Sequence, residues 1–589
     1  MKKLIYVFTF IFIFISYCNA QYNLFNQKVI PDAMGYININ KSDFAGIQKS
    51  YLNIDSFPVF SGFPLYFSGN SFEGGIYCNM DNDPQMELVY NIGYNTYAVK
   101  LNGSNVPGWP KTASSYALEG APAFGDIDGD GYGEIVVTNH GLSSAGYIYA
   151  YKRNGTLCSG FPINHGYSSR TPVLADVNND GKMEIIVNRR ETPSSVYIYK
   201  GDGTILTGWP KVMNSVPASS CAVGDIDHDG QPEIIAESYY SLYAWKANGD
   251  SIPGFPFTMT NSAVNSYSSP VLADLNGDNM KEIIFGTHVL GGGGYVYVIK
   301  NDGTVMSGWP KQVNNWIYGP PSVGFIDNDN ILDIAVGDQV LSSNPSDYVY
   351  GWNKNGTPLT GFPIGPLNAI NNQILLADVN NDNLTELIFD DNTSDVNGKG
   401  KYLGYKYDGT PLTGWPIQTT GTTFFCTPCL LDINRDGLLD MAGCGIENPG
   451  SSPYTNIYLW NLGTPYNASK IYIPCWQYNS RHNGVYGDIV ITDVKKEINN
   501  IPVKHELFQN YPNPFNPSTI IRFQIKDLRF VTLKVYDIIG DEIETLVSET
   551  KQPGTYEFTF DGSRFGSGVY FCKLIAGNYT ETKKMLMIK

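Results

Sequence analysis

Eight short stretches of the chain set carboxylates or carboxamides at alternate positions of a turn. The fullest is "DIDGDGYGEI", with Asp126, Asp128, Asp130 and Glu134 at positions 1, 3, 5 and 9 before the apolar run Ile135–Val137. Acids this close repel one another unless the turn is solvated or a cation lies among them. Hard oxygen donors at alternate positions of a tight loop suit calcium, and a backbone carbonyl at position 7 would complete the set. The other seven turns offer Asn79, Asp81, Asp83 and Glu87; Asp176, Asn178, Asp180 and Glu184; Asp225, Asp227, Asp229 and Glu233; Asp274, Asn276, Asp278 and Glu282; Asp327, Asp329 and Asp333; Asp378, Asn380, Asp382 and Glu386; and Asp432, Asn434, Asp436 and Asp440. Position 6 is glycine in four turns and asparagine in three, which fits a left-handed bend there.

The turns differ. Phe325 takes position 1 of the sixth, so that site is expected to be weak or empty, and Asn79 with Pro84 puts the first in doubt. A polar hairpin needing no metal explains one such turn better than eight in register. Extracellular calcium modules bind at roughly 10⁻⁴ to 10⁻³ M. The expected role is that of structural staples, up to eight Ca²⁺ per chain, with no part in catalysis. The last acid falls at position 9, and position 12 of the second turn is Val137, so this is no EF-hand.

Start-to-start spacings of 47 to 54 residues separate the turns, a period that signals a propeller, solenoid or array. After each turn come a β-rich run, an Asn-Gly or Asp-Gly pair and Gly-aromatic-Pro, as in "YVYVIKNDGTVMSGWP" (Tyr295 to Pro310). Alternation marks strands and the Asn/Asp-Gly pair marks a hairpin. Proline fits a strand end or an edge strand, so the piece it marks should be outermost. Four strands per repeat predict an all-β chain built as a β-propeller. The Gly-aromatic-Pro pieces begin at Gly62, Gly108, Gly160, Gly208, Gly254, Gly308, Gly361 and Gly414, and the first precedes the first acidic turn. A ring explains that offset if Ser61 to Phe67 supplies the outer strand of the last blade. Eight blades are favoured; seven plus an irregular unit is the alternative. The aromatic alternates Phe, Trp through all eight, for which duplication of a two-blade unit is an origin.

The ends read differently. Residues 1–20, with Lys2, Lys3 and the apolar run Leu4–Ser16, form a secretory signal peptide; bulky Tyr17 disfavours a lipoprotein reading through Cys18. Residues 21–58 have no clear structure, 59–486 form the propeller, 487–502 a linker, and 503–589 a small C-terminal β-sandwich of alternating strands and glycine turns. Losing Lys2 and Lys3 takes the formal charge from −17 to −19, and that acidity excludes nucleic acid as a partner. No mature segment is long and apolar enough to cross a membrane as a helix. Cys426-Thr427-Pro428-Cys429 matches C-x-x-C, but "TPCLLD" aligns with "TPVLAD" at Thr171 to Asp176, so core packing explains it better than redox or zinc chemistry.

The turn D-x-[DN]-x-[DN]-G-x-x-[DE] followed by an apolar strand resembles the FG-GAP/VCBS repeat of exported bacterial proteins and integrin α-subunits. That resemblance implies a calcium-stapled propeller in adhesion or carbohydrate contact. Asn510-Tyr511-Pro512-Asn513-Pro514, Gly568-Val569-Tyr570 and the basic end at Lys583, Lys584 and Lys589 resemble the type A C-terminal sorting domain of the type IX secretion system. This implies export, contact with the secretion machinery, removal of the tail, and surface attachment or release.

No strong catalytic motif is present, and the six histidines show no ligand spacing. A surface or secreted binder of glycan or protein is the leading reading. The alternative is a polysaccharide-degrading enzyme, since some rhamnogalacturonan lyases are similar eight-bladed propellers. The longer loops Asn139 to Gly146, Thr287 to Gly294, Asp390 to Lys401 and Glu447 to Thr455 are candidate contact surfaces.

Overall fold

A computed structural model describes residues 57–488 and 504–588, apart from 82, 84, 115, 119, 140–145, 169, 218, 266, 328, 341–344, 395–397, 450–451, 511, 527–528, 552–553 and 578. The expected signal peptide, most of the N-terminal segment and linker, and Pro84, His140, Tyr511 and Lys589 lie outside the described residues. The chain divides into two compact units, one up to Val494 and one from Lys495.

The first unit holds eight antiparallel sheets, one per acidic turn. Blade 1 is Ile76–Cys78, Glu87–Ile92, Asn95–Val99 and Lys111–Thr112. Blades 2 to 7 repeat this order, with inner strands Ala123–Gly125, Val173–Ala175, Ala222–Gly224, Val271–Ala273, Ser322–Gly324 and Leu375–Ala377; blade 5 has one extra short strand, Ala263–Asn265. Blade 8 takes Cys429–Leu431, Leu438–Glu447 and Tyr454–Pro465 from the end of the repeat region and its outer strand, Leu65–Ser68, from the beginning. Leu65 pairs with Ile457 and Ser68 with Tyr454. The closing strand starts just after Pro64, because proline cannot donate to a ladder. The inner strands of blades 8 and 1 also lie side by side, as do those of blades 2, 3, 4 and 5.

Apolar residues between adjacent sheets make the core: Val173, Ile186 and Trp209 with Val223, Ile234 and Trp245, for example. Strand tyrosines two positions apart stack on one another within a blade, as Tyr149 does on Tyr151 (5.9 Å) and Tyr197 on Tyr199 (5.8 Å). Seven of the eight Gly-aromatic-Pro pieces, all but the one at Gly414, press their glycine against the hairpin of the following blade. A Cβ on Gly160 would lie 2.1 Å from the Asp202 carbonyl in the following hairpin, and on Gly208 2.2 Å from that of Asn248, so both sites need glycine. Three of the four tryptophans add an indole N–H hydrogen bond to that neighbouring hairpin: Trp109 to the Arg153 carbonyl (2.7 Å), Trp209 to Ala247 (2.8 Å) and Trp309 to Lys354 (2.9 Å), while Trp415 meets Phe57 edge-on (5.8 Å). Phenylalanine has no such donor, which gives the Phe/Trp alternation a structural consequence.

The centre of the ring is filled by the chain itself. Segment 470–486 runs along the exposed edges of the inner strands and bonds to the middle residue of each in blades 2 to 8. Phe124, Leu174, Val223, Leu272 and Leu430 donate their N–H groups to the carbonyls of Ser480, Arg481, Asn483, Gly484 and Pro474. Val323 donates to the Tyr478 hydroxyl, and the Leu376 carbonyl accepts from Tyr472. Buried edge groups left unpaired are costly, so this segment supplies what sheet neighbours cannot.

The second unit is a β-sandwich. Glu506–Leu507, Ser518–Ile525 and Gly554–Asp561 form one sheet; Glu542–Lys551, Arg529–Tyr536, Gly568–Ala576 and Tyr579–Met587 form the other. Phe523, Phe560, Leu533, Val535, Leu574 and Met585 fill the space between them.

Among the described residues all eight cysteines, Cys78 to Cys572, are buried and free, and Cys429 Sγ contacts the Gly75 carbonyl (2.8 Å), in keeping with core packing.

Candidate metal-binding turns

Each acidic turn links the inner strand of a blade to its second strand. Position 9 is the first residue of the second strand in seven turns and lies within it in the eighth. Its carboxylate accepts the N–H of position 2 in all eight: Met80 to Glu87 (2.7 Å), Ile127 to Glu134 (3.0 Å), Val177 to Glu184 (3.0 Å), Ile226 to Glu233 (2.9 Å), Leu275 to Glu282 (2.9 Å), Ile326 to Asp333 (3.0 Å), Val379 to Glu386 (3.0 Å) and Ile433 to Asp440 (3.2 Å). One carboxylate oxygen is thereby used to fold the turn, and the other is left for its interior.

The remaining acids orient themselves on backbone N–H groups of the same turn. Asp126 accepts from Gly129 (2.6 Å) and Gly131 (3.0 Å), Asp128 from Asp130 (3.1 Å), and Asp130 from Tyr132 (2.9 Å). Position 6 is left-handed as expected, from Gly131 (φ 88°) to Asn279 (φ 69°). Position 4 is left-handed too, even at exposed His228 (φ 60°) and at Arg435 (φ 60°).

Burial, and then the neighbouring acids, push the position-9 carboxyls up to about 7 at Glu87, Glu184, Glu233, Glu282, Asp333 and Asp440, and about 8 at Glu134 and Glu386. A cation in the turn opposes that shift. Three acids offer oxygens within 4.8 Å of one another in five turns: Asp81, Asp83 and Glu87; Asp126, Asp128 and Glu134; Asp225, Asp227 and Asp229; Asp327, Asp329 and Asp333; Asp378, Asp382 and Glu386. These clusters can hold a metal ion. The sixth turn keeps such a trio despite Phe325, whose ring instead packs on Tyr472 of the central segment (5.5 Å). In the third, fifth and seventh turns the side-chain amides of Asn178, Asn276 and Asn380 bond to the position-9 glutamate.

A second grouping, absent from the sequence reading, lies at the other end of the inner strands. Five residues before the inner-strand centres of blades 1, 5, 6 and 8 stand Phe72, Tyr267, Tyr318 and Phe425. Arg170 holds its guanidinium 4.3 Å from the Tyr267 ring centre and 5.6 Å from that of Phe425, and 3.7 Å from Glu73. Thr171 donates a short hydrogen bond to Glu73. Glu73, Arg170 and Phe425 all have positive φ (62°, 115° and 53°), a strained setting for such side chains. From this mouth an aromatic track runs outward: Phe425 to Tyr318 (6.2 Å), Tyr318 to Trp316 (6.2 Å), Trp316 to His288 (4.5 Å), His288 to Tyr239 (6.1 Å) and Tyr239 to Tyr240 (4.8 Å). The signal was available as a recurring aromatic at one repeat position.

Of the loops expected to make contacts, 140–145, 395–397 and 450–451 lie outside the described residues. Asp390 is buried and accepts from the N–H groups of Asn371 and Asn372, and Thr287 to Gly294 is a strand hairpin.

The architecture and the turns define a β-propeller-like protein with candidate metal sites. Residues 126–187 and 176–236 match the FG-GAP-like repeat, and residues 509–589 match the secretion system C-terminal sorting domain. The chain carries FG-GAP repeats and a type IX sorting tail, and the tail indicates export to the cell surface or the extracellular space. Among solved structures it is similar to the V. cholerae biofilm matrix protein Bap1 (12% identity, 73% of this chain and 91% of that one, TM-score 0.34). It is also similar to BBS1N in complex with ARL6DN (14%, 56% and 94%, 0.34) and to the Pseudomonas aeruginosa PilY1 C-terminal domain (13%, 64% and 93%, 0.31). No curated protein matches it. Among the described residues no helix is long and apolar enough to cross a membrane.

Proposed function

We propose that the chain is an exported, calcium-stapled propeller that binds glycan through the aromatic track on the face away from the acidic turns. The single observation carrying this is the half-buried cluster of Tyr267, Tyr318 and Phe425 around Arg170 and Glu73. Aromatic faces accept the C–H faces of sugar rings, and the Arg170 guanidinium, held by the buried Glu73 carboxylate, supplies donors for hydroxyls. The turns offer calcium only hard oxygen donors, and buried oxygens of Glu233, Asp333 and Asp440 have no hydrogen-bond partner, which fits an oxygen-seeking dication. When bound, calcium supplies charge neutralisation; Glu134 and its counterparts hold the turn closed from the backbone side. The segment 470–486 occupying the axis supports a binder over a chain-cleaving enzyme, whose cleft would sit there.

Affinity electrophoresis of the full chain through polysaccharide gels tests the reading. Retardation in at least one gel is expected, and Tyr318→Ala with Tyr267→Ala should weaken it about tenfold or more with little change in melting temperature. Unaltered mobility in every gel would redirect the search to protein partners, and clearing of a gel track would make the chain an enzyme.

A further inference from the structure

Directly across from position 9, on the third strand of each blade, the chain uses two residue pairs and never mixes them. Glu386 faces Lys406, whereas Asp333 faces Asn353 and Asp440 faces Asn461. The strand registers, continued by one residue, set Glu87 opposite Lys100, Glu134 opposite Lys152, Glu184 opposite Lys200, Glu233 opposite Lys246 and Glu282 opposite Lys300. Glutamate goes with lysine in six blades and aspartate with asparagine in two.

The lysines reach into the turns where position 3 is aspartate. Lys152 Nζ lies 2.8 Å from both Asp128 and Asp130. Lys246 Nζ lies 2.9 Å from Asp229 and 3.6 Å from Asp227, and Lys100 pairs with Asp81. The asparagines turn away: Asn353 accepts the N–H groups of Asn355 and Thr357 (both 3.0 Å), and Asn461 that of Gly463 (2.7 Å). Asp333 and Asp440, both 0% exposed, each keep one carboxylate oxygen, Oδ1, without a hydrogen-bond partner. Among the described position-9 glutamates of the lysine blades, Glu233 alone is in that state.

We infer that the residue opposite position 9 decides how each turn is neutralised. This rests on calcium as the cation of the turns. In blades 1, 2 and 4, where Lys100, Lys152 and Lys246 pair with the turn acids, an ammonium is a resident counter-ion with which calcium competes; in blades 3, 5 and 7 the side-chain amide of Asn178, Asn276 or Asn380 bonds the position-9 glutamate. In blades 6 and 8 no ammonium can substitute, so those turns depend on the divalent cation alone. Blade 8 is also the blade closed by Leu65–Ser68, and its turn has the full set Asp432, Asn434, Asp436 and Asp440, so calcium there latches the ring.

The test uses Asn461→Lys and Lys152→Asn in the full chain, with calcium titration calorimetry and melting in chelator and in calcium. N461K should weaken the blade-8 site about tenfold or more through added charge repulsion. It should also melt higher than the parent in chelator and gain less from calcium. K152N should tighten one site about tenfold and melt lower in chelator, and it decides the matter if N461K fails to fold. Affinities and melting curves equal to the parent's in a variant that binds calcium would overturn the inference while leaving calcium in place. Failure of all three chains to bind calcium would remove both.

Discussion

Stripped of divalent cations, the full chain is expected to melt on the order of 10 °C lower than in 10 mM calcium. At dissociation constants of roughly 10⁻⁴ to 10⁻³ M each occupied turn gains about 1.4 to 2.7 kcal/mol under those conditions. The five turns with three close acids then sum to about 10 kcal/mol. Unfolding a repeat region spanning 59–486 releases close to 1 kcal/mol per kelvin of entropy on the usual per-residue scale, which converts that sum into the melting shift. The loss should also depend on pH. Position-9 carboxyls held at about 7 to 8 in the metal-free fold, against about 4 when unfolded, keep protons that the unfolded chain has released. Metal-free stability is therefore greatest below about pH 4 with respect to these groups and falls as pH rises through 7 to 8. Saturating calcium favours the ionised form and should flatten or invert that fall between pH 5.5 and 8.5. Identical pH profiles with and without calcium would show that the turns do not hold it.

Removing the tyrosine hydroxyl at the axis should be costly out of proportion to its size. Tyr478 is fully buried, and its hydroxyl is the acceptor for the Val323 N–H (2.8 Å). Tyr478→Phe leaves that donor without a partner, at about 1 to 3 kcal/mol. Tyr478→Ala adds a cavity where the ring packs against Tyr486 (6.3 Å) and should cost about 3 to 5 kcal/mol. Ending the chain before Ala468 uncovers the inner-strand edges of seven blades and should yield no soluble folded protein. Urea unfolding in calcium measures the first two, and an alanine variant within about 0.5 kcal/mol of the parent would mean the segment merely lies in the ring without supporting it.

The repeat, the four strands per unit and the ring-closing strand were legible because each has a local chemical cause. The acidic turn sits between strands 1 and 2, Asn-Gly or Asp-Gly turns the next hairpin, and Gly-aromatic-Pro can approach a neighbouring carbonyl only without a Cβ. The central segment was not legible. "YIPCWQYNSRHNGVYGD" has no period, since its bonds pass from one to another of blades 2 to 8, and most of them run through backbone groups that carry no sequence signal. The pairing of Glu with Lys and Asp with Asn lay in the sequence as well, but only the strand register shows that residues 13 to 21 positions apart face each other. The track from Phe425 to Tyr240 draws its residues from several blades, so its members become neighbours only when the ring closes.

Equilibrium dialysis of the full chain against radioactive calcium, after exhaustive chelation, tests the central claim most directly. Up to eight ions per chain are expected at millimolar calcium, one for each acidic turn, the sixth through Asp327, Asp329 and Asp333. A folded chain that retains none would contradict the account and leave the eight acidic turns as hydrogen-bonded hairpins alone.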